Sequence, residues 1–149
     1  KSLIFSFDGK YLYSASLDGN VLKWDLSTRT STNITTGQMK IKSIDISSNG
    51  KLVVTGSWDG TARVWEAASG EEVARMTHKF GVNAVAFSPD GHWVISAGDD
   101  ANVLVWLWQP DDLIAEACRR LPRNLTEDEW TQYFPGEEYR LTCPELGTP

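Results

Sequence analysis

The stretch Lys51-Leu-Val-Val-Thr-Gly-Ser-Trp-Asp-Gly-Thr-Ala-Arg-Val-Trp-Glu66 decides the fold, because its spacing recurs on both sides of it. Apolar and polar residues alternate before Asp59-Gly60 and again after it. Alternation of period two across a glycine turn predicts a hairpin. Trp65 has counterparts 41 residues away in each direction, Trp24 and Trp106. Asp59 has Asp18 and Asp100, and Gly50 has Gly9 and Gly91. Three columns keeping one step define a structural unit.

Outward from this hairpin the pattern runs through Lys10-Tyr-Leu-Tyr-Ser-Ala-Ser16 with Asn20-Val-Leu-Lys-Trp-Asp25, and through His92-Trp-Val-Ile-Ser-Ala-Gly98 with Asn102-Val-Leu-Val-Trp106. A shorter run precedes each hairpin: 3–7, 41–46 and 82–87. Asp8-Gly9, Asn49-Gly50 and Asp90-Gly91 join these runs to the next strand, each glycine supplying the positive φ of a tight turn. A weaker fourth strand is expected at 30–36 and 71–77, with no counterpart after Trp106. Short strands at a period of about 40 to 45 residues are the spacing of a four-stranded propeller blade. The predicted fold is all-β: three blades of an incomplete ring over residues 1–108, the first and last incomplete, then a short helical tail over 109–149.

In that tail Leu113, Ile114, Ala117, Cys118 and Leu121 fall on one helical stripe, with Asp111 and Asp112 early and Arg119 and Arg120 late. Pro122 ends the helix. Thr126 and Glu129 have capping-box spacing for a second helix, expected to bury Trp130, Tyr133 and Phe134.

The runs Phe87-Ser-Pro-Asp-Gly91, Gly56-Ser-Trp-Asp-Gly60 and Val64-Trp65, with His78 four residues before Val82, resemble WD-repeat propellers over about residues 1–108. The resemblance implies a structural tetrad of histidine, serine or threonine, aspartate and tryptophan in each blade. It is complete as His78, Ser96, Asp100 and Trp106. The middle blade has Thr55, Asp59 and Trp65 but Gly37 in the histidine column, so its brace is expected to be the weaker one. The first blade has Ser14, Asp18 and Trp24, its histidine position falling before residue 1. Such rings usually close with about four to eight blades. The chain begins inside a blade, without an initiator methionine or a signal peptide, and is read as the carboxy-terminal part of a longer protein.

The composition, 41% apolar and 23% charged over 149 residues, is that of an ordinary globular chain. A net charge of −6 argues against nonspecific binding to nucleic acid or to an anionic membrane surface. No apolar stretch approaches the roughly 20 residues that span a bilayer. Cys118 and Cys143 are too few and too far apart for a disulfide framework, which points to free thiols in a reducing cytoplasm; pairing would require the tail to fold back on its helix. Asn33 and Asn124 open glycosylation triplets, both read as incidental.

His78, Ser96 and Asp100 have the residue types of a hydrolase triad. They also occupy the tetrad columns with Trp106, and bracing is the reading adopted. No phosphate loop, metal spacing or calcium loop is present, so no metal or cofactor is expected. The carboxylate pairs Asp99-Asp100 and Asp111-Asp112 suit turn formation and a helix start.

What remains is surface recognition. Leu17, Trp58 and Asp99 precede the tetrad aspartates, and Met39, Lys42, Phe80 and Asn83 lie near the start of the inner strands; similar positions in the family often face a ligand. Trp58 stands out, since the repeat does not require an aromatic there and tryptophan is enriched at binding hot spots. The segment 111–144 looks like the one that follows the last blade of bacterial multidomain WD-repeat proteins, which carry a NACHT-type or related signal-transduction ATPase, a protease or a kinase upstream. The helical pair is expected to pack its apolar face against the propeller. The expected function is a non-catalytic interaction and scaffold module whose partners are a protein or peptide ligand and an upstream signalling domain of the same chain. The alternatives are an enzyme with a site in the central channel and a structural oligomerisation platform.

Overall fold

Inner strand, hairpin and rim strand follow one another as the columns predict. The computed structural model describes residues 2–34 and 37–147, divided into two compact units, 1–107 and 108–149.

In the first unit, β1 (Ser2–Phe5), β2 (Tyr11–Ala15), β3 (Val21–Asp25) and β4 (Thr30–Asn33) form one antiparallel sheet in chain order. A second is built from β5 (Ile41–Ile46), β6 (Leu52–Ser57), β7 (Thr61–Glu66) and β8 (Glu72–Thr77). The third holds β9 (Val82–Phe87), β10 (Trp93–Gly98) and β11 (Val103–Leu107). Register repeats with sequence: Leu12 lies opposite Trp24, Val53 opposite Trp65 and Val94 opposite Trp106. The tryptophans therefore occupy equivalent places in successive sheets. Gly9, Gly50 and Gly91 have φ of 68°, 70° and 78°, the left-handed conformation their turns need.

The first sheet has the four strands read for it, inner run, hairpin and rim strand. Its rim strand stops at Asn33, and Thr35 and Thr36 lie outside the described residues. The third sheet has no rim strand among the described residues.

Adjacent sheets pack through the inner strand of the later one. Ile41, Ile44 and Ile46 of β5 enter a core with Tyr13, Ala15, Val21 and Ile34 of the first sheet, closed by Val53 and Ala67. Each fully buried aliphatic side chain there contributes about 1.5–3 kcal/mol. One step along, Gly56 of β6 leaves room for Val82 and Val85 of β9: a Cβ at Gly56 would lie 2.9 and 3.0 Å from their methyl groups. Side chains also tie the inner strands together, as Ser43 Oγ and Asp45 Oδ2 accept from the backbone amides of Val85 and Phe87 at 3.2 and 2.8 Å. At the two ends of the stack the corresponding faces are uncovered, with Leu3 and Phe5 on β1 and Ile95 and Val103 on β10 and β11 all exposed.

The second unit contains α1 (Pro110–Arg120), α2 (Glu127–Tyr133) and a short 3-10 turn at Pro144–Leu146. Proline in the first turn, acidic residues early and arginines late suit the dipole of α1. The α2 cap forms as read: Glu129 N donates to Thr126 Oγ1 at 3.2 Å, and Thr126 N donates to Glu129 Oε2 at 2.9 Å. Of the aromatic residues expected to be buried by α2, only Trp130 is; Tyr133 and Phe134 are 64% and 41% exposed. A seven-residue helix presents too little surface to cover three rings. Trp130 instead sits beneath Phe134, Tyr139 and the Arg140 guanidinium, with ring centroids 4.6 and 6.1 Å away for the two aromatics.

The expectation of free thiols is overturned, since Cys118 of α1 and Cys143 form a disulfide with their Cα atoms 5.4 Å apart. Asn124 explains the approach. Its buried amide donates to the carbonyls of Cys143 and Gly147 at 2.8 and 2.6 Å and accepts from Cys143 N at 2.9 Å, which folds the tail back on itself. Among the described residues no helix is long and apolar enough to cross a membrane.

Candidate functional site

In the third sheet β10 supplies Ser96, the turn before β11 supplies Asp100, β11 supplies Trp106, and His78 enters from the segment after β8. Trp106 Nε1 donates to Ser96 Oγ at 2.6 Å, and Ser96 Oγ lies 2.7 Å from His78 Nε2. His78 Nδ1 lies 3.1 Å from both carboxylate oxygens of Asp100. One proton arrangement satisfies all four groups: indole to hydroxyl, hydroxyl to Nε2, and Nδ1–H to carboxylate. Burial opposes the charge on Asp100, but hydrogen bonds from His78 and from the backbone amides of Asn102 and Lys79 outweigh it and hold its carboxyl at about 2.

These are the residue types of a hydrolytic triad, but Ser96 is fully buried and its oxygen already accepts from the indole. A nucleophilic hydroxyl needs an open approach for an electrophile and donors for the developing oxyanion. Here the indole fills the approach, and the cluster locks the β10–β11 hairpin to the loop entering β9.

The middle sheet corrects the expected weakness of its brace. Gly37 has no side chain to offer, but Gln38, buried at 3% exposure, takes the histidine's part. Trp65 Nε1 donates to Thr55 Oγ1 at 2.8 Å, and Thr55 donates to Gln38 Oε1 at 2.6 Å. Gln38 Nε2 then reaches Thr61 Oγ1 at 3.1 Å, which donates to Asp59 Oδ1 at 2.6 Å. Arg63 adds an ion pair to Asp59 at 3.2 Å. In the first sheet Trp24 Nε1 donates to Ser14 Oγ at 2.8 Å and Asp18 accepts from Asn20 N at 2.9 Å, while Trp24 is 37% exposed.

Gln38 lay off the 41-residue columns because the segment after the rim strand is longer in the first sheet: Gln38 follows Asn33, opposite Leu22, by five residues, whereas His78 follows Arg75, opposite Arg63, by three. The register shift of β8 between Val64 and Trp65 offsets one of those two residues and leaves a net slip of one.

At one rim of the stack, the turns between the second and third sheets enclose a recess of about 400 Å³. Three of the residues singled out from sequence, Trp58, Phe80 and Asp99, stand in its wall with Lys79 and Gly81. Trp58 and Phe80 are both about half-exposed. Gly81 lies close against this wall: a Cβ there would fall 3.1 Å from Trp58 and 3.2 Å from the Asp99 carboxylate, tighter than ordinary van der Waals contact.

Lys42 and Asn83 join this cluster through a shared device. Each is the residue skipped by a register shift, between Ile41 and Ser43 against β6 and between Val82 and Ala84 against β10. Such bulges re-aim a side chain. Lys42 Nζ donates to Asn83 Oδ1 at 2.6 Å and lies 3.5 Å from Asp99 Oδ2, while Asn83 Nδ2 donates to Asp99 Oδ1. The Asn83 amide and the Lys42 ammonium lower the Asp99 carboxyl from its ordinary range.

Met39 and Leu17 are exposed on neighbouring turns but do not line the recess. Two charged residues in or beside it escaped the sequence reading. Lys79 is in the wall, and Lys40 places its ammonium 4.2 Å from the centroid of the Trp58 ring. Lysines beside a turn carry no distinguishing spacing, so no signal marked them.

The family model described as "WD domain, G-beta repeat" matches residues 1–25, 29–66 and 70–106. The chain belongs to the WD-repeat family. The second and third matched segments begin at or just before a rim strand and end at the tryptophan strand of the next sheet, so the sequence repeat is staggered against the blade. The chain is also similar to the beta-propeller domain of Cps50 (Swd1) from Myceliophteria thermophila, known from a crystal structure. The TM-score is 0.66 at 20% identity, over 70% of this chain and 34% of that one. At that identity the likeness shows the fold, and this chain spans about a third of that chain's length. None of the curated proteins matches the chain. WD-repeat propellers generally mediate protein interactions and scaffolding, and their fold is typically non-catalytic.

Proposed function

We propose that the chain is a non-catalytic protein- or peptide-binding module whose contact surface is the rim recess between the second and third blades. The observation that carries this reading is the pair of half-exposed aromatic residues, Trp58 and Phe80, that stand together in the wall of a recess of about 400 Å³. An aromatic side chain fixed by its surroundings binds with little loss of conformational freedom, which favours it as an anchor. Lys42, Asn83 and Asp99 form the polar border, and Met39 and Leu17 extend the surface along adjacent turns.

In this proposal the blades are the sensor or regulatory propeller of a larger bacterial signalling protein, and an upstream signalling domain of the same polypeptide is the second partner. The uncovered faces at Leu3 and Phe5 and at Ile95 and Val103 support it, because each repeats an interface already filled inside the chain. The cytoplasmic location belongs to the same proposal. It rests on the signalling context alone, since Cys118 and Cys143 pair.

The test is selection of peptides from a displayed random library on the whole chain, followed by affinities for Trp58→Ala and Phe80→Ala. Loss of roughly 2 kcal/mol or more at Trp58, the size of an interface hot spot, supports the contact role. Unchanged affinity in both variants contradicts it. The second reading, an oligomerisation platform, is favoured by the same uncovered end faces and predicts rim variants without effect on any partner.

A further inference from the structure

Resting on the contact role of the recess, we infer that its partner presents a carboxylate, an Asp or Glu side chain on a peptide segment, and that Lys40 and Lys79 receive it beside the two aromatic rings.

The charges around the recess are unevenly satisfied. Asp59 is paired with Arg63 and hydrogen-bonded by Thr61. Asp99 has Lys42 and Asn83. Asp100 has His78 and two backbone amides. Lys40 and Lys79 instead stand over aromatic faces, at 4.2 Å from the Trp58 centroid and 5.6 Å from that of Phe80. Among the described residues neither forms an ion pair with a carboxylate. The rim of a chain with net charge −6 thus presents two uncompensated ammonium groups against two half-exposed rings. That is the complement of an acidic side chain flanked by apolar surface.

The backbone at Lys40 points the same way. Its φ is 48°, in the left-handed region that disfavours any residue with a side chain. Glycine would hold this turn without strain. A lysine kept there carries its ammonium to the Trp58 ring, and strain of this kind gathers at functional positions.

The geometry also separates a carboxylate from other anions. No arginine lines the recess, so the planar fork suited to two-pronged phosphate recognition is missing from its wall. Two point charges on an acidic chain are too few to hold a nucleic-acid backbone, whose affinity grows with the number of phosphates neutralised.

The experiment uses the peptides selected on the whole chain. Acidic residues should be enriched among them. Replacing the key Glu or Asp of a selected peptide by Gln or Asn should weaken binding about tenfold, the range of a charge-assisted hydrogen bond. Affinity should fall with added salt, and Lys79→Gln should erase the difference between acidic and amide peptides. Lys40→Gly is the discriminating variant: it should lose the same preference while its melting temperature stays level or rises, so that weaker binding cannot be assigned to unfolding. Equal binding of acidic and amide peptides, still dependent on Trp58, overturns the carboxylate and leaves the contact role intact. Preference for phosphoserine over glutamate at the key position also overturns it. Selection that yields no Trp58-dependent peptide sinks both readings.

Discussion

The Thr55 hydroxyl stands between the Trp65 indole and the Gln38 amide, accepting from the first at 2.8 Å and donating to the second at 2.6 Å. A glutamine thus completes in the middle blade the brace that His78 completes in the third. Both residues offer an acceptor to the β-strand hydroxyl and a donor directed toward the turn aspartate, one through Thr61 and the other directly.

Gln38→Ala should therefore destabilise the first unit by about 1–3 kcal/mol, the cost of leaving a buried donor without its acceptor. Urea unfolding of the variant checks this. Ser14→Ala, beside the more exposed Trp24, should cost less than about 1 kcal/mol.

Ser96 should behave as a structural hydroxyl. A fluorophosphonate probe should leave it unlabelled in the folded chain, because its oxygen is buried and shared between Trp106 and His78. Ser96→Ala should lower stability by about 1–3 kcal/mol. Stoichiometric labelling at Ser96, read by mass spectrometry, would return the cluster to the hydrolases.

The second unit should loosen in acid. Arg123 forms two hydrogen bonds to Glu129, and together with the Thr126 amide it holds that carboxyl at about 2, against 4.5 for an ordinary glutamate. A folded-state value below the unfolded one gives stability that is full above about 4.5 and is lost as pH falls through about 2. Thermal melting followed by circular dichroism at the helical band, to which α1 and α2 contribute the described α-helices, should show this decline. Glu129→Gln should flatten it and lower stability at neutral pH.

Strand, turn and tryptophan positions were legible because a repeat writes each of them three times, and the α2 cap because Thr126 and Glu129 specify it locally. Gln38 was hidden by the unequal segments that follow the rim strands. Lys40 was hidden because a left-handed backbone at a lysine leaves no mark in composition. The burial of Tyr133 and Phe134 was overestimated from helical spacing alone, which gives a face but not what covers it. Cys118 and Cys143, 25 residues apart, meet only after the Asn124 amide has turned the tail back, a tertiary event.

Removing that link should act mainly on α1, which has no buried side chain of its own. The Cys118→Ser, Cys143→Ser variant should lose about 2–4 kcal/mol from the second unit, the usual range for a native cross-link. Amides of α1 should exchange faster in the variant, while those of β5 to β8 stay unchanged. Equal acceleration in both units would contradict the division of the chain at residue 107.

The central claim is that the rim between the second and third blades is where this propeller meets its partner. Hydrogen exchange of the chain with and without a saturating selected peptide tests it most directly. The account predicts new protection confined to residues 38–42, 57–60, 79–83 and 98–100, with α1, α2 and the rim strands unaffected. Protection centred on the helical unit, or on β10 and β11 with the turns around Trp58 and Phe80 unchanged, would contradict it.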